Sequence, residues 1–311
     1  MPMVSIIMPF HNAEQHLAEA IASVQDQTCT DWELVLIDDG STDGSHAITS
    51  EAAKADPRVR LLARHAGASG NAAAARNLGI REARGEFVGF LDADDVYEPD
   101  NLSGRIHAFD IRPESMMVYG PTRWWHPGAT DLDWTEGMRK EAGRVHQAPG
   151  LLNRVVLMQR GHVPCICSVL IRREALDRVG GFDETFHLYE DQTLWVKILL
   201  RFPVYVTDMV GARYRQHNAS ATARSEQSGE YDRMRPHPAR LAFLTWVRDY
   251  ARSGGLADAP VERALRRAFA SYGEGRALLT PVDRLSLAVD GLKMKLRSII
   301  RDRWSMLSQR R

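Results

Sequence analysis

The chain has 311 residues, of which 44% are hydrophobic and 26% are charged. These values are ordinary for a soluble globular protein, and the length allows one large domain or a domain with an accessory segment. Lysine plus arginine equals aspartate plus glutamate at 40 each, so the composition gives no bias towards nucleic acid as a partner.

The N-terminus and the cysteines predict a cytoplasmic protein. Residues 1–5 lack a basic region followed by a long apolar core, so no signal peptide is expected. No stretch approaches ~18 uninterrupted apolar residues, so no membrane span is expected either. Cys29, Cys165 and Cys167 form no disulfide framework, and Cys165-Ile166-Cys167 is too closely spaced for the usual zinc pattern. We interpret them as buried thiols in a reducing compartment.

The first hundred residues alternate short apolar runs with helical patterns. Strands are predicted at residues 4–8, 34–37, 59–62 and 86–91. Helices are expected between them, around 17–24, through residue 54, and over 71–83. Such alternation with short connections is typical of a doubly wound α/β sheet with helices on both faces.

The pattern beyond residue 115 is less regular. Further strands are predicted at 116–120, 163–171 and 201–207, with an apolar helix opening at Glu190-Asp191 and running to residue 200. Residues 121–150 are rich in Trp, Gly and Pro and indicate loops, and residues 225–238 indicate a linker. Helices are expected over 240–250 and 260–279.

The last segment, residues 282–311, has apolar residues at helical spacing and a net charge of +5. A basic amphipathic helix of this kind can make peripheral contact with an anionic membrane surface. It can equally pack on the rest of the chain or on a second subunit in a homodimer. The sequence leaves these alternatives open.

Aspartates follow two of the predicted strands, where ligands of doubly wound sheets bind. Asp92 and Asp94 are two residues apart after a strand, so an extended backbone would direct both side chains to one side. Such oxygen donors suit Mg²⁺ or Mn²⁺ bound together with phosphates. The alternative is that Asp94 or Asp95 caps a helix starting near Pro99, which explains only one of the carboxylates.

Asp38 and Asp39 end the second predicted strand. A carboxylate at this position can accept a hydrogen bond from the imide N–H of uracil or thymine. The segment Asp-Asp-Gly-Ser-Thr-Asp at residues 38–43 also has strong turn chemistry. One aspartate can serve each purpose.

In combination, these motifs resemble the family 2 glycosyltransferases, which have the glycosyltransferase-A fold. The resemblance rests on motifs that follow the family's order, at residues 4–12, 23–28, 32–43, 75–80, 85–95 and 190–191. His11 departs from the family pattern, where tyrosine is more common, but an aromatic ring beside the base is kept. The resemblance implies a Rossmann-like mixed sheet flanked by helices, with a helical C-terminal extension.

The resemblance also implies a domain plan and a site. The catalytic domain would cover residues 1–225, with a nucleotide-binding half over about 1–115 and an acceptor half over about 116–225, and the extension would cover 226–311. The expected nucleotide-binding residues are Pro9, His11, Asn12, Asp39, Arg76, Asp92 and Asp94. Asp94 would hold the divalent metal, with Asp92 and His217 as further candidate ligands.

Asp191 would be the catalytic base. Sugar transfer needs an acceptor hydroxyl to lose its proton, which a lone carboxylate can accept, while a metal stabilises the leaving diphosphate. One base without a carboxylate nucleophile implies inversion at the anomeric carbon. The dipole of the helix that Asp191 opens is expected to keep it ionised. From the residues alone, a first-turn acid without catalytic function is the alternative.

Four further residues are candidates for contact with a sugar. Trp124 and Trp125 could pack against the C–H faces of sugars, although core or subunit packing explains them equally well. His162 could shape the sugar pocket, and Glu190 could bond the acceptor or the backbone.

The sequence therefore predicts an inverting glycosyltransferase that depends on Mn²⁺ or Mg²⁺. Its donor would be a nucleotide-diphosphate sugar, in the first place a UDP-sugar, and its acceptor a saccharide or lipid-linked hydroxyl in polysaccharide or glycolipid biosynthesis. One alternative is a nucleotidyltransferase, which usually has a Gly-rich basic loop where this chain has Pro9-Phe10-His11-Asn12. The other is a non-catalytic sugar-nucleotide-binding scaffold protein.

Overall fold

The computed structural model describes residues 1–64, 70–138, 140–232, 235–274, 279–285 and 287–289. The chain divides into two compact units, Met1–His217 and Asn218–Arg311. Most of the predicted basic segment at 282–311 lies outside the described residues, as do residues 275–278 of the helix predicted over 260–279.

The strands and helices of the described residues are numbered in chain order. The strands are β1 Val4–Phe10, β2 Trp32–Asp38, β3 Val59–Ala63, β4 Phe87–Phe90, β5 Val96–Tyr97, β6 Met117–Tyr119, β7 Arg123–Trp125, β8 Trp134–Thr135, β9 Arg144–His146, β10 Val169–Arg172, β11 Val204–Val206 and β12 Ala212–Arg215. The α-helices are α1 Leu17–Gln25, α2 Ser45–Ala55, α3 Ala72–Glu82, α4 Asn101–Ile111, α5 Arg173–Val179, α6 Glu190–Leu199, α7 Ala221–Ser228, α8 Pro238–Ser253 and α9 Ala259–Phe269.

The central sheet has eight strands in the order β3-β2-β1-β4-β10-β6-β11-β9. Strands β3, β2, β1 and β4 are mutually parallel, whereas β10 runs antiparallel to both β4 and β6. Every residue of β1 and β2 is buried, as expected where helices cover both faces of a sheet. The predicted mixed α/β sheet is confirmed, and the parallel strands bring the carboxyl ends of β1, β2 and β4 to one edge.

Helix α3 packs closely on β1. Its N-terminus is capped by Asn71, whose side-chain oxygen accepts a hydrogen bond from the backbone N–H of Ala74 at 2.9 Å. Gly79 faces β1, where an added Cβ would lie 2.3 Å from Cγ2 of Ile7. The missing side chain therefore sets how near α3, which also carries Arg76, can come to the sheet.

A second sheet has four strands in the order β5-β12-β7-β8. It was not predicted, because β7 and β8 lie in the Trp-rich segment that the sequence indicated as loops. These strands have two or three residues, too few for a hydrophobic period to emerge. The sheet joins β5, which directly follows the Asp92–Asp95 segment, to β12, which leads to His217.

Two other boundaries differ from the sequence predictions. The strand predicted over 163–171 begins as a 3₁₀ turn, Ile166–Ser168, and only then becomes β10. The linker predicted over 225–238 is partly helical, because α7 extends to Ser228 after an N-cap bond from Ala223 to the Ser220 hydroxyl.

Within the described ranges, none of the helices has both the length and the apolar character needed to cross a membrane.

We expect Gly79→Ala to destabilise the protein by about 1–3 kcal/mol, as overpacked core substitutions do. In a helix interior, alanine is normally more stable than glycine by roughly 1 kcal/mol. A decrease in the free energy of unfolding would therefore report the contact with Ile7. The measurement is urea unfolding of wild type and variant under matched conditions.

The matched control is Gly150→Ala. Gly150 lies at the start of a short helical segment, and an added Cβ there meets no atom within 4 Å. The control should change the unfolding free energy by less than about 0.5 kcal/mol or increase it. Equal effects of the two substitutions would contradict the packing explanation.

Candidate functional site

Three carboxylates cluster where β4 ends. Oxygen atoms of Asp92, Asp94 and Asp95 all lie within 4.8 Å of one another. The extended backbone predicted for Asp92 and Asp94 was wrong. The backbone forms a turn here, in which the Asp95 N–H donates to the carbonyl of Asp92 at 3.0 Å. The turn nevertheless brings the side chains together.

Asp95 has a different environment from its two neighbours. It is fully buried; one oxygen accepts the backbone N–H of Arg215 at 2.9 Å, and the other has no hydrogen-bond partner. Burial, followed by the charge of Asp94, raises the pKa of Asp95 well above its usual range. The capping alternative is wrong, because α4 begins at Asn101 and the residue at its N-cap is Asp100.

Strand β12 brings two side chains to this cluster. The Nε2 atom of His217 lies 2.9 Å from Oδ2 of Asp94. Arg215 donates through Nε to the Asp94 carbonyl at 2.7 Å and through Nη2 to Glu19 at 2.5 Å. Arg215 is buried, and its bond to the Asp94 backbone holds the turn in place.

His16, at the N-cap of α1, is a neighbour that the sequence did not suggest. Its ring centroid lies 5.2 Å from that of His217 in an edge-to-face arrangement. Burial, together with the charges of Arg215 and His217, lowers the pKa of His16. No local pattern could have identified His16, because its contact with His217 depends on β12, some two hundred residues later in the chain.

The residues present fit a divalent metal. Asp92 and Asp94 supply partly exposed carboxylate oxygens, the ligands that Mg²⁺ and Mn²⁺ prefer. His217 adds an imidazole nitrogen in contact with Asp94. The unpartnered oxygen of Asp95 lies beside them, buried, so the local donor set has capacity for a cation.

Arg76 connects this cluster to helix α6. Its guanidinium is 3% exposed, and it pairs with Asp92 at 2.6 Å and with Glu190 at 3.3 Å. Burial alone would lower the pKa of Arg76, but the charges of Asp92 and Glu190 outweigh this and raise it. The sequence expected Arg76 to reach the base or the diphosphate; in the structure its immediate partners are the two carboxylates.

Asp191 follows Glu190 in the first turn of α6. Burial, then the charge of Glu190, raises the pKa of Asp191 to about 7, although Arg76 acts in the opposite direction. Desolvation thus opposes the helix dipole, which was expected from the sequence to keep this carboxyl ionised. Tyr189, which precedes the helix, has φ 67°, an unfavourable conformation for a non-glycine residue.

A second group of predicted residues lies at the ends of β1 and β2. Pro9 is buried within β1, and the exposed His11 ring has Nδ1 3.1 Å from the backbone oxygen of Asp39. Asn12 has φ 49°, and its side-chain oxygen accepts the backbone N–H of Thr42 at 2.8 Å. These contacts bring the loop after β1 against the loop after β2.

The two aspartates at the end of β2 have separate partners. Asp38 accepts hydrogen bonds from the backbone N–H groups of Gly40 and Ser41, so it forms the turn that the sequence suggested for one of them. Asp39 pairs with the Arg64 guanidinium and accepts the N–H of Asn71 at 2.9 Å. The sequence gave no sign of Arg64, which lies beyond the end of β3.

Other side chains lie on the ring faces of the two tryptophans that were predicted to contact a sugar. Trp124 stacks on Trp134 with centroids 4.9 Å apart, and Trp125 lies under the guanidinium of Arg215 at 4.3 Å. His162 lies near the buried carboxylate of Glu136, with Nδ1 3.6 Å from Oε1. Of the two stacked indoles, Trp134 is the more accessible, with 43% of its surface exposed.

Comparison with known proteins assigns the family. The family model described as Glycosyl transferase family 2 matches residues 5–180, more than half of the chain. This range includes the carboxylate cluster, Arg76 and the ends of β1 and β2, but not α6 or His217.

Two curated relatives illustrate the similarity. The chain is 33% identical over 202 residues to the O-antigen biosynthesis protein RfbC of Myxococcus xanthus, a match that covers 63% of this chain and 14% of that protein. It is 41% identical over 197 residues to the UDP-Glc:alpha-D-GlcNAc-diphosphoundecaprenol beta-1,3-glucosyltransferase WfgD of Escherichia coli, covering 63% of this chain and 70% of WfgD.

Solved structures share the fold at low identity. S. aureus TarS 1–349 in complex with UDP-GlcNAc aligns with a TM-score of 0.63 at 18% identity, over 93% of this chain and 79% of TarS 1–349. The mannosyltransferase PcManGT from Pyrobaculum calidifontis, in complex with GDP-Man and Mn²⁺, aligns with a TM-score of 0.53 at 18% identity, over 94% and 80%. The chain therefore belongs to glycosyl transferase family 2 and has the glycosyltransferase-A fold.

Proposed function

We propose that residues 1–225 form an inverting glycosyltransferase that moves a sugar from a UDP-sugar to a saccharide or lipid-linked hydroxyl in polysaccharide or glycolipid biosynthesis. The observation that carries the proposal is the arrangement around Arg76. This one buried guanidinium contacts Asp92 of the carboxylate cluster and Glu190, the neighbour of Asp191. This contact supports the assignment of the candidate metal ligands and the candidate base to one site.

Two comparisons support a uridine nucleotide as donor. WfgD is named for UDP-Glc, and TarS was solved with UDP-GlcNAc. PcManGT was solved with GDP-Man, so the fold alone does not select the base. In this chain, we assign recognition of the base to Pro9, His11, Asn12 and Asp39, because they meet where β1 and β2 end.

Asp94, Asp92 and His217 would hold the divalent metal. When bound, Mn²⁺ or Mg²⁺ would neutralise charge on the leaving diphosphate. Arg215 and Asp95 would keep the turn in place around it, since they join β12 to the turn through the backbone of Asp94 and the buried Asp95 carboxylate.

Asp191 would accept the proton of the acceptor hydroxyl. A general base is most effective when its pKa lies near the working pH, and the pKa of Asp191 is about 7. Glu190, the adjacent carboxylate, is paired with Arg76 and so less suited to act as a nucleophile. One base facing a leaving diphosphate corresponds to a single displacement with inversion.

The acceptor would bind near β7 and β8. We assign this role to the surface formed by Trp124, Trp125, Trp134 and His162, with the exposed indole of Trp134 as the face that a sugar ring could cover. Trp124 and Trp125 would then act from beneath, by holding Trp134 and Arg215 in position.

Two variants separate metal-dependent binding from catalysis. Asp94→Ala should weaken Mn²⁺-dependent binding of UDP-GlcNAc or UDP-Glc by at least roughly tenfold, since it removes a ligand of the ion. Asp191→Asn should leave binding within about twofold but reduce transfer by about 10²–10⁴-fold, the usual contribution of a general base. Calorimetric titration and a donor-consumption assay measure the two quantities.

Asp100→Ala is the control, because Asp100 is an exposed carboxylate outside the cluster. It should resemble wild type in both assays. Normal transfer by Asp191→Asn would remove Asp191 from the mechanism, and unaltered Mn²⁺ dependence in Asp94→Ala would remove Asp94 from the metal site.

The pH dependence of kcat should reveal how the Asp191 pKa is raised. Because the charge of Glu190 raises that pKa, second only to burial, Glu190→Gln should lower it and move the acidic limb of the profile to lower pH. The control is Glu174→Gln on α5, where the carboxylate is exposed and pairs with Arg178. An unchanged or raised acidic limb in Glu190→Gln would contradict the assignment.

Protein stability should report the same pKa without any substrate. The Asp191 pKa is raised on folding, so the folded state binds more protons than the unfolded state between about pH 4 and 7. Stability is therefore lost as the pH rises through this window. Asp191→Asn removes that cost, so its unfolding free energy should exceed that of wild type by a margin that grows from about pH 4 and is constant above about pH 7.

Urea unfolding at a series of pH values measures this margin. A margin that does not change between pH 4 and 8 would show that Asp191 has an ordinary pKa in the folded protein. The stability experiment tests the Asp191 pKa separately from the kinetic experiment, because only the kinetic experiment needs a functioning donor site.

A further inference from the structure

Two of the three cysteines lie side by side. The Sγ atoms of Cys165 and Cys167 are 3.4 Å apart. Cys165 is partly exposed and has extended backbone angles, whereas Cys167 is buried in the following 3₁₀ turn. Of the two thiols, the Cys165 thiol thus belongs to the more accessible residue, and the buried Cys167 thiol lies next to it.

We propose that Cys165 and Cys167 form a modification site that a small disulfide, such as glutathione disulfide, converts into an intramolecular disulfide. A disulfide bond is about 2.05 Å long, so the sulfur atoms need to approach by only about 1.4 Å. We expect Cys29, which is also partly buried, to remain a thiol.

The chemistry is thiol–disulfide exchange in two balanced steps. The Cys165 thiol loses its proton, and its sulfur attacks one sulfur of glutathione disulfide; the S–S bond breaks and one glutathione thiolate leaves. The Cys167 sulfur then attacks Cys165 while its proton passes to the departing glutathione sulfur, so the second glutathione leaves as a thiol. The two cysteines are oxidised by two electrons, and one glutathione disulfide is reduced to two glutathione molecules.

The 3₁₀ turn is held by hydrogen bonds of its own, so the disulfide cannot form unless the turn moves. The Cys165 carbonyl accepts hydrogen bonds from the Ser168 backbone N–H at 2.9 Å and from the Ser168 hydroxyl at 2.8 Å. Because protein interiors are closely packed, a movement of the sulfur atoms by more than about 1 Å also displaces the turn and the residues packed against it.

Those neighbours carry the candidate metal ligands. The turn packs against β4, which leads to Asp92 and Asp94, and against β12, which leads to His217. Cys167 also belongs to the same buried cluster as Leu91 and Ala93. Oxidation should therefore loosen the turn around the carboxylates, and, on the proposed function, weaken Mn²⁺ binding there.

The first test is formation of the bond. The full chain is reduced, freed of reductant and exposed to glutathione disulfide, and its intact mass is recorded. We expect a stable product about 2 Da lighter than the reduced protein, restored by dithiothreitol. Cys29→Ser should behave identically, Cys167→Ser should keep a glutathione adduct on Cys165, and Cys165→Ser should gain neither.

The outcomes of this test are decisive for the modification site. A lasting glutathione adduct on wild type, or no reaction under conditions that convert a small-molecule dithiol, would overturn it. A loss of 2 Da in the Cys165→Ser variant, which still has Cys29 and Cys167, would overturn it as well.

The second test measures the coupling to the site. Hydrogen exchange of the segments 91–97 and 212–217 should be faster in the oxidised protein, and the double variant should show no change after the same treatment. Unchanged exchange in both segments would refute the coupling, whether or not the protein binds a metal.

Mn²⁺ affinity, measured by calorimetry, should fall roughly tenfold on oxidation, the lower end of what changes around metal ligands cost, and should recover on reduction. Absence of Mn²⁺ binding by the reduced protein would count against the proposed function, whereas the mass and exchange results would still decide on the disulfide. Mn²⁺ binding that is equal in the two forms, despite a confirmed disulfide, would reject the effect on the metal site.

Discussion

The buried guanidinium of Arg76 is the interaction on which the site depends. A buried charge needs partners, and Arg76 has Asp92 at 2.6 Å and Glu190 at 3.3 Å. These residues come from α3, from the end of β4 and from the start of α6. Gly79 allows α3 to approach β1 closely, so the position of this charge is set by a helix held firmly against the centre of the sheet.

The same charge determines how the neighbouring carboxylates behave. Asp191 experiences burial and the charge of Glu190, which favour its neutral form, and Arg76, which opposes them. The balance leaves the pKa of Asp191 at about 7, where it can exchange a proton near neutral pH. Asp92 is tied to Arg76 on one side and belongs to the carboxylate cluster on the other. The ion pairs of Arg76 thus link a proposed metal ligand with Glu190, the residue next to the proposed base.

The sequence predicted the parallel half of the sheet and the strand-end aspartates, because buried strands and strand-end carboxylates leave local patterns. It could not predict the β5-β12-β7-β8 sheet, whose strands are short and whose pairing joins distant segments. The contacts of Arg215 and His16 could not be predicted for the same reason, since their partners are brought to them by that pairing. The pKa of Asp191 could not be inferred from the sequence, because the sequence indicates the helix dipole but not the burial or the contact between Arg76 and Glu190.

A crystal structure of the chain with UDP and Mn²⁺ tests the central claim most directly, because manganese can be located by its anomalous scattering. The account predicts an anomalous peak within bonding distance of an Asp94 oxygen and shared with the diphosphate, with uracil beside His11 and Asp39. Manganese bound away from Asp94, or a nucleotide bound away from the ends of β1 and β2, would contradict the account.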